Sequence, residues 1–201
     1  MASDSAPSRI FLLSPAHCGG KRAGLLLNER AEFDLAGRLR GPGGVTLGEA
    51  FSFVSGLYFR GKLAYALRFA RAPTGVAGAQ VITTNRGLLP VETPLGLLEL
   101  REFGAVDIRA DDPRYRAPVD RDLAPLAAEP GLEIVLLGSV ATGKYVDVLL
   151  EALGDRLVFP LDFLGRGDMS RGAVLLRAVR EGRELEYARV GSIVRRTSRS
   201  R

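Results

Sequence analysis

Four short apolar runs punctuate the chain: Ile10 to Leu13, Gln80 to Thr84, Glu133 to Leu137 and Arg156 to Phe159. Each ends in small, polar or proline residues, so each is predicted as a buried strand. Between the runs the apolar spacing changes to three and four. "TLGEAFSFVSGLYFRGKLAYALRFARA" carries that period, with Thr46 placed to cap its start and Pro73 just past its end. It predicts one long helix, or two broken around Gly56 or Gly61. Further helices are expected over Lys21 to Arg40, Asp120 to Ala128, Lys144 to Leu153 and Arg171 to Glu181. Strand alternates with helix, which predicts an α/β three-layer sandwich around a mostly parallel sheet of about four strands. Ligands of such folds bind outside the carboxyl ends of the strands.

One segment resists this reading. "TPLGLLELREFGAVDIRADDPRYRAPVDRD" has three prolines and mixed charge, and is expected to be a flap or an extended edge. No repeat and no linker divides the rest, so residues 1 to 187 are expected to form a single domain.

Composition narrows the chemistry. At 201 residues and 46% hydrophobic content, the chain has enough apolar side chain for a sizeable core. A single cysteine, Cys18, rules out an internal disulfide and a cysteine-rich zinc site, and a single histidine, His17, argues against a histidine metal centre. Neither metal nor cofactor is expected. The start, "MASDSAPSRIFLLSPAHCGG", is acidic with a short apolar run and reads as a strand rather than a signal peptide, and no apolar run reaches 18 residues. A cytoplasmic protein without membrane association is expected.

The net charge of +5 has a location. Arg189, Arg195, Arg196, Arg199 and Arg201 fall in the last fifteen residues without a single acid, so the rest of the chain is close to neutral. Residues 188 to 201 are therefore read as a basic tail, suited to sequence-independent attraction to phosphates or simply a solvated terminus.

The stretch "GSVATGKY", from Gly138 to Tyr145, follows a strand and opens a helix with the spacing of a phosphate loop. A nucleoside triphosphatase needs a Ser or Thr hydroxyl after the lysine to hold magnesium, and a strand ending in a metal-binding carboxylate. Here Tyr145 follows Lys144, and Pro160 interrupts "RLVFPLD" before Asp162. The triphosphatase reading fails on both counts, while a single phosphate at the helix start remains compatible with the turn.

Other strand ends gather polar residues. "SPAHCGGKRAG" places Ser14, His17, Lys21 and Arg22 at the sheet's carboxyl edge. "VITTNRGLLP" brings Thr84, Asn85 and Arg86 to the same edge, where Asn85 can read a base or orient water, or simply form a turn. "PLDFLGRGDMSRG" adds Arg166, Asp168, Ser170 and Arg171 ahead of an apolar helix. There, Asp168 or Ser170 is placed to cap the helix; alternatively Arg166 and Arg171 hold a phosphate while Asp168 faces developing positive charge. Together with Ser139 and Lys144 of the glycine turn, these segments describe one polar cleft suited to a nucleotide or nucleic acid.

The order "LLSPAHCGGKRA", "SGLYFRGKLAYALRFA", "ITTNRGLLPVETPL" and "VLLGSVATGKYVDVLLEALGDRLVFPLDFLGRGDMSRG" resembles the YaaA-like group of small α/β proteins, whose fold is similar to uracil-DNA glycosylase. The resemblance runs over most of residues 10 to 177. It rests on Leu57-Tyr58, Gly87-Leu88-Leu89, and a Tyr145-headed helix leading to a strand that ends in proline and a glycine-rich turn. The Asp-Pro-Tyr and His-Pro-Ser segments of true uracil-DNA glycosylases are absent. The resemblance implies DNA as partner, held by its phosphates with a base flipped out, and a DNA glycosylase that removes a modified base, including in defence against phage with modified DNA. A non-catalytic nucleic-acid-binding protein and a nucleoside hydrolase or base transferase are the alternatives. Under the glycosylase reading, Asp168 is the carboxylate that supports an oxocarbenium-like sugar or activates water, and Asn85 positions water or the base edge. Lys21, Arg22, Arg166 and Arg171 grip phosphates, and Tyr58 or Tyr145 stacks on the base. Asp34, Asp112 and Asp162 compete for the carboxylate role.

Overall fold

A computed structural model describes residues 7–140 and 143–193, without the side chains of residues 143 and 144. In chain order its elements are β1 (Arg9–Leu13), α1 (Lys21–Leu27), α2 (Asp34–Arg40), β2 (Val45–Thr46), α3 (Leu47–Ser55) and α4 (Leu57–Phe69). Then come β3 (Ala79–Ile82), β4 (Leu88–Pro90), β5 (Pro94–Leu95), α5 (Leu97–Ala105) and α6 (Pro113–Ala128). The last are β6 (Glu133–Leu137), α7 (Gly143–Leu153), β7 (Leu157–Pro160), α8 (Asp168–Glu181) and β8 (Tyr187–Arg189).

Six strands form the central sheet in the order β4-β3-β1-β6-β7-β8, and helices flank it. The four predicted strands are its parallel interior, and β4 and β8 add antiparallel edges. The result is an α/β fold compatible with a three-layer sandwich. β1 and β6 lie side by side at the centre, Ile10 opposite Ile134 and Leu12 opposite Leu136. Ile10, Phe11, Leu12 and Leu13 are all fully buried, which explains their unbroken apolar run. Each such side chain contributes about 1.5–3 kcal/mol relative to staying in water.

Several expectations need correcting. Lys21 to Arg40 is not one helix: α1 and α2 are separate, because "NERAEF" between them leaves the three-four spacing. The long central helix divides at Gly56, whose φ of 66° and ψ of −133° stop α3 and start α4. At the front of α3, Thr46 is the cap that the sequence predicts: Glu49 N donates to its hydroxyl at 3.2 Å, and Thr46 N donates back to Glu49 Oε2 at 2.9 Å. The supposedly irregular segment holds α5 and the first half of α6. Pro113 sits at the start of α6 behind the Asp112 cap, where a missing N–H costs nothing, while Pro118 and Pro125 lie within the helix. Read only as breakers, these prolines concealed it. The basic tail starts later than residue 188, because Ala188 and Arg189 pair with β7 and Val190 is fully buried. Residues 194 to 201 lie outside the described residues. None of the described helices is long and apolar enough to cross a membrane.

Helices α4 and α8 pack against each other through a pair of glycines. A Cβ on Gly61 would fall 2.8 Å from Gly172 O, and one on Gly172 would fall 3.0 Å from both Leu57 O and Tyr58 Cα. Only backbone fits at this crossing. It fixes the first turn of α8 beside the first turn of α4.

At the amino end of β1, Arg9 is ion-paired with Glu133 and Glu184, and Arg71 adds a 3.0 Å bond to Glu184. Tyr65 and Tyr187 share a 2.6 Å hydroxyl contact, and Leu185 N donates to Tyr65 Oη at 2.7 Å. This network anchors the β8 edge to α4. Burial alone would raise the Glu184 carboxyl, but hydrogen bonds and charge from Arg71 and Arg9 outweigh it and hold it below the usual range. Glu184→Gln is expected to cost about 1.5–3 kcal/mol at pH 7, the worth of hydrogen bonds to a charged group. A carboxylate depressed in the folded state stabilises above its unfolded value, and loses that contribution as pH falls through its folded value. Urea melts of the two proteins should therefore differ at neutral pH and converge in acid; a gap that persists in acid would contradict the assignment.

Candidate active site

Counted in chain order, the four parallel strands run 2-1-3-4 across the sheet, so the strand order reverses between β1 and β6. The crevice outside their carboxyl ends is the topological switch point, where open α/β sheets bind ligands. Ser14 leaves β1 there and Gly138 leaves β6.

Ser14 N donates to Leu137 O at 3.1 Å, which holds the two strand ends together. The Ser14 side chain and backbone carbonyl face Lys62 of α4, whose Nζ lies 2.8 Å from Ser14 Oγ and 2.6 Å from Ser14 O. Lys62 is 1% exposed. Its Nζ also rests 4.5 Å from the centre of the Tyr58 ring and 4.9 Å from that of Phe59. Desolvation lowers its pKa to about 7, opposed by the more distant charge of Asp168.

Tyr145, in the first turn of α7, completes the far side. Ser139 N donates to Tyr145 Oη at 2.8 Å, and the phenol also hydrogen-bonds the Ser14 side chain. The absence of a side chain at residue 138 makes this possible: a Cβ there would stand 2.6 Å from Tyr145 Oη and 3.0 Å from Ser14 Cβ. Burial raises the Tyr145 pKa, so the group remains a phenol at neutral pH.

Helix α8 delivers charge to the same place. Arg171 Nη1 is 3.6 Å from Asp168 Oδ1, and its Nε donates to Phe163 O at 3.3 Å. Tyr58 Oη is buried and lacks a partner at bonding geometry, although Arg171 lies near enough to act on it. Desolvation raises the Tyr58 pKa, opposed by Arg171. Asp168 is largely exposed and acts electrostatically on Tyr58, Lys62 and Tyr145. Ser14, Lys62, Tyr58 and Tyr145 therefore form one buried polar group, with the exposed Asp168 carboxylate, 3.6 Å from Arg171, acting on it through its charge.

A second feature lies beside it. A cavity of about 170 Å³ is lined by His17, Thr84, Phe103 and Asp107 among others, between the β1 and β3 ends and α5. It is smaller than the roughly 300–1,000 Å³ of drug-sized ligand sites, so it suits one planar ring rather than a whole nucleotide. Asn85 follows Thr84, and its buried Oδ1 has no hydrogen-bond partner. Cys18 also lines this cavity, and desolvation pushes its thiol up to about 12. That makes it a packed side chain rather than a nucleophile.

The predicted cleft is thus only partly assembled. Arg166 and Ser170 line a different cavity, of about 290 Å³, on the outer side of α8 with Arg177 and Arg183. Arg166, in the loop before α8, lines that cavity with Ser170, whereas Arg171 turns to Phe163 O and Asp168, so Arg166 and Arg171 do not clamp one phosphate together. Asp168 and Ser170 do not cap α8, because its cap is Gly167 and both lie inside the first turn. Tyr58 and Tyr145 are 7% and 6% exposed. Lys62 covers the face of Tyr58, so these tyrosines offer hydroxyls rather than stacking surfaces. Lys21 and Arg22 are exposed, Arg22 lying 5.7 Å from the centre of the Phe53 ring. Arg86 is paired with Glu102 at 2.6 Å. The Lys144 side chain lies outside the described residues. Of the competing carboxylates, Asp34 pairs with Arg38 and Asp112 caps α6.

Lys62 is the residue that sequence reading passed over. The signal was present: Tyr58, Lys62, Tyr65 and Phe69 follow the apolar stripe of α4, and a lysine in that phase must be buried.

Comparison with known proteins gives no further guide: no family model, no curated protein and no solved structure matches this chain.

Proposed function

We propose that the chain is a DNA glycosylase, hydrolysing the N-glycosidic bond of a modified base, on a fold like that of uracil-DNA glycosylase. The observation that carries this reading is an exposed carboxylate, Asp168, held 3.6 Å from Arg171 and close enough for its charge to act on the buried Tyr58 and Lys62 beyond the strand ends. Glycosidic cleavage builds positive charge on the sugar and negative charge on the departing base. Asp168 is suited to the first, and the Arg171 guanidinium and Tyr58 hydroxyl to the second. The ring-sized cavity lined by His17, Thr84, Phe103 and Asp107 supplies a place for a flipped base, and the buried, unpartnered Oδ1 of Asn85 lies next along the chain from Thr84. Exposed Lys21 and Arg22 stand ready for the flanking phosphates.

The test is direct. Duplexes with unmodified and modified bases are incubated with the protein, then assayed for released base and alkali-labile abasic sites. Release from a modified duplex is expected, with Asp168→Ala slowing it on the order of 10²-fold. Full activity in that variant removes Asp168 from the mechanism. Binding without release on every duplex would make the chain a nucleic-acid-binding protein instead.

A further inference from the structure

We propose that Ser14 is a nucleophilic serine and Lys62 its base, giving the chain an acyl-transfer activity toward carboxylic esters that is separate from base release. The inference begins with the coordination of Lys62. A lysine 1% exposed would ordinarily sit against a carboxylate, yet its only hydrogen-bond partners among the described residues are the two oxygens of Ser14. The remaining contacts of Nζ are the faces of Tyr58 and Phe59.

A neutral amine fits this environment fully. One N–H goes to Ser14 O, a second faces the aromatic rings, and the lone pair accepts the hydroxyl proton of Ser14 at 2.8 Å. That is the arrangement in which an amine activates an alcohol. The charged group acting on it is Asp168 from α8; Tyr58 from α4 itself packs its ring against Nζ, and Arg171 and Tyr145 lie one step further off, acting on Tyr58. Asp168 favours the ammonium, while burial favours the free amine and prevails. Ser14 is half-buried at the end of β1, and Lys62 lies behind it.

The reaction balances without a co-reactant beyond water. Ser14 Oγ attacks the ester carbonyl as its proton passes to Lys62 Nζ, leaving a tetrahedral oxyanion. Collapse breaks the bond to the leaving alkoxide, which recovers the proton from Nζ. Water then cleaves the acyl-serine, with Lys62 receiving and returning a proton in the same way.

The experiment uses the intact chain and two probes, a fluorophosphonate and 4-nitrophenyl acetate. One adduct per chain is expected, mapped to Ser14, together with a nitrophenol burst of one equivalent. Labelling should speed up as pH rises through about 7, where Lys62 gives up its proton, and then level off. Ser14→Ala should abolish the adduct. Lys62→Met and Lys62→Arg should each slow it on the order of 10²-fold or more, the arginine variant because it retains charge but cannot accept a proton. No adduct on the unmodified protein, an adduct on another residue, or labelling indifferent to both Lys62 variants would each overturn the proposal. If the Lys62 variants do not fold, the pH profile and burst of the unmodified protein decide: a flat profile or no burst refutes it. Base release from duplex DNA is measured on the same preparation, so an adduct without release and release without an adduct separate the two activities.

Discussion

Gly172→Val should destabilise the protein more than any substitution of an exposed residue, and should disable the site along with it. The Cβ of even an alanine at residue 172 would meet Leu57 O and Tyr58 Cα at 3.0 Å. Both are helical backbone, so no side chain can turn aside; α4 and α8 must separate. Overpacking costs about 1–3 kcal/mol for a modest intrusion and more where backbone must move. Gly172→Ala is expected near the upper end of that range and valine beyond it, read as a fall in the urea midpoint with little change in slope. Separation would also carry Asp168 and Arg171 away from Tyr58 and Lys62. A Gly172→Ala protein that stays folded should therefore release base more slowly, while Ser14 labelling, which uses no side chain of α8, should persist. Because Gly61 meets the same Gly172 backbone from the other helix, the double variant should cost less than the sum of the singles. Strict additivity would mean that the two glycines do not share one contact.

Gly87→Ala is the second large effect expected. Gly87 has a φ of 75°, a left-handed conformation that costs an L-residue roughly 1–2 kcal/mol. Its Cβ would also fall 2.1 Å from Asp122 Oδ2 and 2.6 Å from Pro118 O. To clear the methyl, α6 must retreat, and Asp122 then loses the 2.8 Å bond it accepts from Leu88 N. Strain and overpacking together predict a loss of about 2–5 kcal/mol. A control separates the terms: Asp122→Ala removes the side-chain obstacle and the hydrogen bond but leaves φ and Pro118 in place. Gly87→Ala in that background should cost less than it does in the parent protein. An equal cost in both would place the whole penalty in the backbone.

The parallel strands were legible because they are central: with both faces covered, β1 and β6 can carry apolar residues at every position. The three-residue edges β4 and β8 have one neighbour each and leave no such run. Most helices with an apolar stripe were found, but α5 was missed altogether and the proline-bearing α6 was not found at its true length. Much of the site was legible for a topological reason, since Ser14, Tyr145, Asp168 and Arg171 all lie just beyond strands. Lys62 was not, because it reaches the crevice from the second turn of a helix, and no strand end marks it. Nor did sequence separate Arg166, which lines the cavity of about 290 Å³, from Arg171, which turns to Phe163 O and Asp168.

The central position of β1 has a consequence for how the chain is made. β1 precedes both of its partners, and Leu13 waits until about Val81 for one neighbour and Leu137 for the other. At about 5–20 residues per second of synthesis, the 124 residues from Leu13 to Leu137 take roughly 6–25 s to appear. Both edges of the wholly apolar "IFLL" are open until β3 has been made, and the edge that β6 takes stays open for the whole interval. Refolding should therefore be most prone to aggregation before β6 docks.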